Sequence, residues 1–259
     1  MTNTILVRDV MSKPVTVAKS VPVTDALDKM LDVGMDPLIV VHNDEVVGTI
    51  SRHKIVEKLG AKHSSEVSPT AIHVSNTVDD DFTFIYDDQE VDVLIPLLQE
   101  RYKLAVVYDS DNNLIGQVNS SDILSKMIPD GDLASVMERA QFIEAGERMV
   151  HLRRRMIDEN ISRFIVMNDG KMSGIVSETD VAVAVLKFRE SVGDRHQEHQ
   201  VRNILVQDIM TASVQSIEMG SPVSKVVDLM CTKNFSSVPV TEKGKIVGIV
   251  TRQSLIQAL

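Results

Sequence analysis

The chain has 259 residues, 43% of them apolar, with a formal charge of −10, which is enough apolar material for one large core or two of ordinary size. The charge is uneven: residues 1–129 hold 11 Lys/Arg and 20 Asp/Glu, residues 130–259 hold 16 and 17. Nucleic acid and anionic membrane are therefore poor partners, and the near-neutral half is the better home for a phosphate.

In chain order, residues 15–17 read as a short strand and Pro22 as the first turn of a helix. Ala26, Leu27, Met30 and Leu31 recur at helical spacing and make one apolar face. Residues 38–41 form a buried strand, 42–45 a hairpin turn and 46–50 its antiparallel partner. Ser51 caps a second helix carrying Ile55, Val56 and Leu59. The unit is strand, helix, strand, strand, helix.

It recurs three times. The apolar runs 104–108, 164–167 and 238–240 repeat the buried strand. Leu98 with Gly116, Met156 with Gly174 and Met230 with Gly248 repeat the 18-residue spacing of Met30 and Gly48, the glycine falling at a strand-to-helix junction. Extra chain lies near residues 61–77 and 190–203. A fixed period decides the architecture: an α/β (α+β) fold of four repeats, at 1–60, 61–129, 130–190 and 200–259. Each small sheet has helices on one face only, and the adjacent copy is the economical cover for the other. This predicts two modules, 1–129 and 130–259, each with a pseudo-twofold axis.

No run of about 18 apolar residues exists to span a membrane. The single cysteine, Cys231, reads as a small buried or half-buried side chain of the fourth copy's first helix, and one cysteine cannot close an intramolecular disulfide; a reducing, cytoplasmic setting is the expectation.

Asp9-Val10-Met11, Asp208-Ile209-Met210-Thr211, Val238-Pro239-Val240 and Gly174-Ile175-Val176-Ser177-Glu178-Thr179-Asp180 together resemble the cystathionine beta-synthase (CBS) domain. Four concordant copies without a catalytic domain are similar to the gamma subunit of AMP-activated protein kinase and to stand-alone archaeal and bacterial proteins of that type. The resemblance implies disc-like modules of paired copies with adenosine-containing ligands in the clefts between them.

In that family the segment Gly-apolar-x-Ser/Thr-x-x-Asp sets a hydroxyl and a carboxylate at the start of the second helix. Unpaired N–H groups and the positive helix end favour a phosphate, the hydroxyl adds a donor, and the carboxylate accepts from the ribose diol. Copy 3 has the full pattern: Ser177 for phosphate or ribose, Thr179 nearby, Asp180 for the ribose hydroxyls. Copy 1 keeps Ser51 but has Lys54 for the aspartate, copy 2 keeps Asp122 but has Asn119 for the hydroxyl, and copy 4 keeps Thr251 but has Ser254 for the carboxylate. Helix capping is the competing reading of these hydroxyls.

Arg163 occupies a position where the kinase subunit carries phosphate-binding basic residues; the competing reading is a salt bridge with Asp158 or Glu159. Arg139 and Ala140 follow the segment where the family's first strand meets adenine. Arg153, Arg154 and Arg155 span most of a helical turn and read as a solvated face. His196 and His199 have i, i+3 spacing without a third metal ligand nearby. Asp79–Asp81 and Asp87–Asp88 solvate the ends of a strand. No Ser/His/Asp order, P-loop or HExxH appears, and an enzyme similar to IMP dehydrogenase is excluded on length.

The sequence therefore predicts no enzyme, no metal and no catalytic cofactor. It predicts a regulatory protein binding an adenine nucleotide (AMP, ADP or ATP), chiefly in the cleft of copies 3 and 4, and read by a regulated partner protein. The alternatives are an S-adenosylmethionine or methylthioadenosine sensor, and a scaffold or nucleic-acid-associated regulator with vestigial clefts. Helix faces bearing Leu27 and Leu31, or Val227 and Met230, predict a homodimer.

Overall fold

The computed structural model describes residues 4–59, 69–191 and 203–259. Copy 1 runs through α1 (Val7–Val10), β1 (Thr16–Ala18), α2 (Val23–Asp32), β2 (Leu38–His42), β3 (Glu45–Ile50) and α3 (Arg52–Leu59). Copy 2 has β4 (Thr83–Tyr86), α4 (Leu94–Glu100), β5 (Leu104–Tyr108), β6 (Leu114–Asn119) and α5 (Ser120–Leu124). Copy 3 has α6 (Leu133–Val136), β7 (Phe142–Glu144), α7 (Met149–Asp158), β8 (Arg163–Asn168), β9 (Lys171–Ser177) and α8 (Glu178–Ser191). Copy 4 has α9 (Val206–Ile209), β10 (Thr211–Ala212), β11 (Ile217–Glu218), α10 (Val223–Lys233), β12 (Ser237–Glu242), β13 (Lys245–Thr251) and α11 (Arg252–Gln257).

In every copy the first of its own three sheet strands (β1, β4, β7 and β11) pairs parallel with the second and the second antiparallel with the third, while β10 joins the sheet of copy 3. The helix between the first two strands is the crossover that a parallel pair requires. Its start is marked by proline in copies 1 and 4, where Pro22 and Pro222 occupy the N-cap.

The four glycines sit inside the closing strands, not at the strand-to-helix junction. Val40 pairs with Gly48, Val107 with Gly116, Val166 with Gly174 and Val240 with Gly248, each beside a register shift. The reason is an exchange of lead-in segments. The residues leading into one copy cross the last strand of its module partner: Ser12 bridges Gln117, Asp79 bridges Thr49, Glu138 bridges Ile249, and β10 pairs with β9. The crossing backbone leaves no room for a side chain. A Cβ on Gly174 would lie 2.8 Å from Thr211 O, and on Gly48, whose φ is +147°, it would strike Asp79 O and Val78.

The sheets pack face to face within each module. Ile39 of copy 1 meets Leu104 and Val106 of copy 2, and Ile165 of copy 3 meets Ile249 of copy 4. The helices pair differently. Leu27, Met30 and Ile55 of copy 1 share one core with Met156, Phe164 and Val181 of copy 3; Leu98 and Ile123 of copy 2 share another with Met230 and Leu255 of copy 4. The chain thus covers its own helix faces. Leu27, Val227 and Met230, the proposed homodimer surface, are buried within it, and only Leu31 keeps 39% of its surface. Those three side chains are therefore not available to a second chain, and the expected homodimer loses its support.

Cys231 also departs from expectation: it is exposed. It follows Met230, whose side chain points into the core, and one helical residue later the chain has turned about 100° outward. Partial burial of the thiol raises its pKa, with Arg252 opposing and Asp228 adding to the rise, so it is not an activated nucleophile.

Candidate functional site

The closing strand of each copy runs directly into its second helix, so the crossing that fixes the glycine also fixes where that helix starts. All four starts meet around one cavity of about 510 Å³. Its wall includes Arg52 of copy 1, Lys103 and Asp122 of copy 2, Arg163, Ser177, Glu178 and Thr179 of copy 3, and Arg252 of copy 4. The positive ends of α3 and α8 face the same space, with the first N–H of each already bonded, Arg52 N to Asp36 Oδ1 at 2.9 Å and Glu178 N to Ser162 O at 3.0 Å.

The arginines are held by oxygen atoms that carry no full charge. Arg52 Nη2 donates to Met30 O at 3.0 Å, and its Nη1 to Thr179 Oγ1 at 3.1 Å. Arg252 Nη2 donates to Asn234 Oδ1 at 2.7 Å. Arg163 Nη1 donates to Ser236 O at 2.7 Å, and its Nε and Nη2 to Ser162 Oγ at 3.2 Å. None of these arginines, nor Lys103, forms an ion pair among the described residues. Burial lowers the pKa of Arg163 and of Arg252, yet a guanidinium stays charged at neutral pH. The cavity therefore holds cationic charge that the protein's own carboxylates do not neutralise by contact. Asp36, Asp122 and Glu178 line it as well. Glu178 is engaged by His53 Nδ1 at 2.6 Å across the contact of copies 1 and 3. That hydrogen bond raises the His53 pKa above 6.5.

Each helix start also faces the lead-in segment of its module partner, which makes four comparable clefts. In copy 3, Asp180 Oδ2 accepts from Ser177 N and Ser177 Oγ, both at 2.7 Å, and Oδ1 lies 3.5 Å from Thr211 Oγ1. In copy 2, Asp122 Oδ2 accepts from Asn119 N at 2.8 Å and from Ser12 Oγ at 3.3 Å. In copy 4 the carboxylate has moved to the other wall: Thr251 Oγ1 donates to Glu138 Oε1 at 3.0 Å. In copy 1, Lys54 Nζ reaches Asp79 Oδ2 at 3.9 Å.

Of the residues singled out in the sequence, Ser177, Thr179, Arg163 and Asp122 lie on the cavity wall, and Asp180 stands behind Ser177. Ser51 and Thr251 are helix caps, accepting from Lys54 N at 3.3 Å and Ser254 N at 2.9 Å. Arg139 is exposed and Ala140 is buried between the sheets of copies 3 and 4. Arg163 takes no part in the expected salt bridge, because Arg154 pairs with Asp158 and Arg155 with Glu159. The arginine run points three ways, with Arg155 over the Phe164 ring and Arg153 half-buried. Asp81 pairs with Arg101, which accounts for one of the acidic cluster. His196 and His199 lie outside the described residues, among which no group of three metal-ligating side chains occurs. No described helix is long and apolar enough to cross a membrane. Arg52, Arg252, Lys103 and Glu178 were missed. The first two carry a signal in hindsight: each follows the cap hydroxyl of its copy, as Ser51-Arg52 and Thr251-Arg252.

Asp122 gives a thermodynamic test. Burial raises it from 3.8 to about 6, against the lowering pull of Asn119 N, Ser12 and Arg252. A carboxyl whose folded pKa exceeds its unfolded one subtracts stability, fully above the folded value and not at all below the unfolded one. Asp122→Asn is therefore expected to raise unfolding free energy by about 1–2 kcal/mol at pH 7.5, after allowance for partial solvent contact. The gain should vanish near pH 4 in urea titrations. An equal change at both pH values contradicts this.

CBS domain is the family description that matches, four times, at residues 7–61, 74–129, 133–187 and 206–259. Protein MJ1225 of Methanocaldococcus jannaschii is 23% identical over 247 residues, 85% of each chain. Its crystal structure, that of a proposed archaeal homologue of g-AMPK, has a TM-score of 0.80 at 22% identity, over 98% of this chain and 99% of that one. MJ1404 of the same organism is 25% identical over 97% of this chain, which spans 61% of that protein. A conserved protein of Pyrococcus horikoshii matches with a TM-score of 0.63 at 20% identity, covering 98% of this chain and 99% of its own. The chain belongs to the CBS domain family.

Proposed function

We propose, proceeding from membership of the CBS domain family, that the chain is a regulatory, non-catalytic sensor of adenine nucleotides (AMP, ADP or ATP). The principal site is the cleft where copy 3 presents Ser177, Thr179 and Asp180 to Thr211 of copy 4. Asp180 accepts from the ribose diol, and the phosphates extend toward Arg163 and the central cavity. The observation that supports this best is the set of Arg52, Arg163, Arg252 and Lys103 on one cavity wall without ion-pair partners among the described residues. Charge-assisted hydrogen bonds to a phosphate would satisfy them.

The likeness to MJ1225, proposed as a homologue of g-AMPK, adds a regulated partner protein to this reading. The site is also placed to report its state. Thr179 is bonded to Arg52 and its neighbour Glu178 to His53, so a phosphate that competes for Arg52 changes the contact between the two modules. A ligand shifts such an equilibrium by its differential affinity for the two states.

Arg163 separates this reading from a sensor of S-adenosylmethionine or methylthioadenosine, which needs the aspartate but no phosphate contact. Arg163→Ala is expected to weaken AMP and ATP by about tenfold or more while leaving adenosine within about twofold, by calorimetry. An equal loss for all three would make the arginine structural and sink the phosphate assignment.

A further inference from the structure

We propose that the outer edge of β4, in copy 2, is where the regulated partner protein docks, adding an extended basic segment to the sheet as a further strand. This rests on the reading that such a partner exists and gives it a surface and a chemistry; it does not depend on which nucleoside the clefts hold. In every copy the first strand is a sheet edge, with a neighbour on one side only. Alternate residues of a strand turn their N–H and C=O to opposite sides. Asp87 N donates to Tyr108 O in β5, so Phe84 and Tyr86 turn theirs outward. An open edge is a template for another chain, and proteins cover it or set charged side chains on it.

Copies 1 and 3 cover theirs. Lys29 Nζ donates to Thr16 O at 2.7 Å and Arg155 Nη1 to Phe142 O at 3.2 Å. The two carbonyls are equivalent, Thr16 pairing with Ile39 and Phe142 with Ile165, and each cation precedes the methionine of the 18-residue pairing, Met30 or Met156. In copies 2 and 4 that helix position holds Leu97 and Leu229, which have nothing to donate. Copy 4 keeps little edge: β11 has two residues, and Glu218 is tied back to Thr241 Oγ1 and Lys243 N. Copy 2 keeps four, and although Gln89 closes Tyr86, Phe84 O has no partner among the described residues.

The side chains around this edge define what fits it. Phe84 is 53% exposed and meets Tyr86 and Tyr108 edge to face, with ring centroids 6.1 and 5.7 Å apart; Leu97, on α4, is 38% exposed. Residues 79–92 hold seven acidic residues and no basic one. Asp80, Asp87 and Asp88 form no ion pair among the described residues. These carboxylates would repel the same edge of a second copy of this chain, which favours a basic partner over self-association. Arginine side chains on the added strand would also gain from the aromatic faces, while main-chain hydrogen bonds to Phe84 supply the register.

The test is fluorescence anisotropy of the full chain at about 150 mM salt, with a labelled peptide of about ten alternating arginine and valine residues. The control is the same peptide N-methylated at alternate amides, which keeps the charge and removes the strand's donors. Wild type is expected to bind the plain peptide at least about tenfold more tightly than the control. Leu97→Lys, which sets there the cation that copy 1 carries, should lose that difference, and Phe84→Thr, at an exposed position, should reduce it. Equal binding of the two peptides by wild type, or a difference retained in both variants, overturns the inference. So does a dimer in light scattering that Leu97→Lys returns to a monomer, because a second copy would then own the edge. AMP titrated by calorimetry keeps the two readings apart: wild type that binds AMP without preferring the plain peptide loses the edge and keeps the nucleotide site, and wild type that shows neither loses both.

Discussion

Replacing Asp180 by alanine is expected to cost the principal site about 1.5–3 kcal/mol, roughly 10- to 150-fold in affinity for adenosine and AMP alike. The magnitude follows from the group: a carboxylate oriented by two 2.7 Å bonds from Ser177 already has its position fixed, so little ordering entropy opposes the ligand's hydrogen bonds. The loss should not discriminate between nucleoside and nucleotide, because the ribose is common to both. Arg163→Ala should discriminate. The two variants read together separate ribose from phosphate recognition, and calorimetry showing unchanged affinity in Asp180→Ala would remove the carboxylate from the site.

The second large effect is on folding. Gly48→Ala is expected to lower stability by about 2–4 kcal/mol, a fall in Tm of about 5–15 °C. The added methyl meets the backbone oxygen of Asp79 rather than the end of a flexible side chain, and the φ of +147° is itself unfavourable for alanine. Relief requires the lead-in segment of copy 2 to leave its bridge to Thr49. Gly220→Ala is the internal control: its Cβ meets nothing within 4 Å, and a change under about 0.5 kcal/mol is expected. Equal Tm values for the two variants would show that the crossing does not constrain the fold.

The 18-residue pairing of Met30 with Gly48 and its three echoes was readable because two packing requirements recur at fixed separation. The methionine or leucine fills a core, and the glycine admits a crossing backbone. The strand order within a copy followed from the alternation of apolar runs and turns. What the helix faces could not reveal was their partner. Leu27 and Val227 announce burial, and a second chain satisfies that pattern as well as a second module does; the structure gives copy 3 to the first and copy 2 to the second.

The site was legible in part for a related reason. Ser177, Asp180 and Arg163 stand in one copy and form a local pattern. Arg52 and Ser12 act on copies other than their own, and Glu138 answers Thr251 from 113 residues away. No window along the sequence contains such a pair. Arg139 and Ala140 illustrate the reverse limit: the family resemblance set them beside the adenine, and the fold leaves Arg139 exposed and Ala140 buried between the sheets of copies 3 and 4.

The cavity is proposed to hold phosphate-bearing adenosine compounds. The most direct measurement is mass spectrometry of small molecules released by denaturing protein purified without added nucleotide. AMP, ADP or ATP in an amount approaching one per chain, lost from Asp180→Ala, is the expected result. Recovery of S-adenosylmethionine or methylthioadenosine in that amount, with no adenine nucleotide, would contradict it.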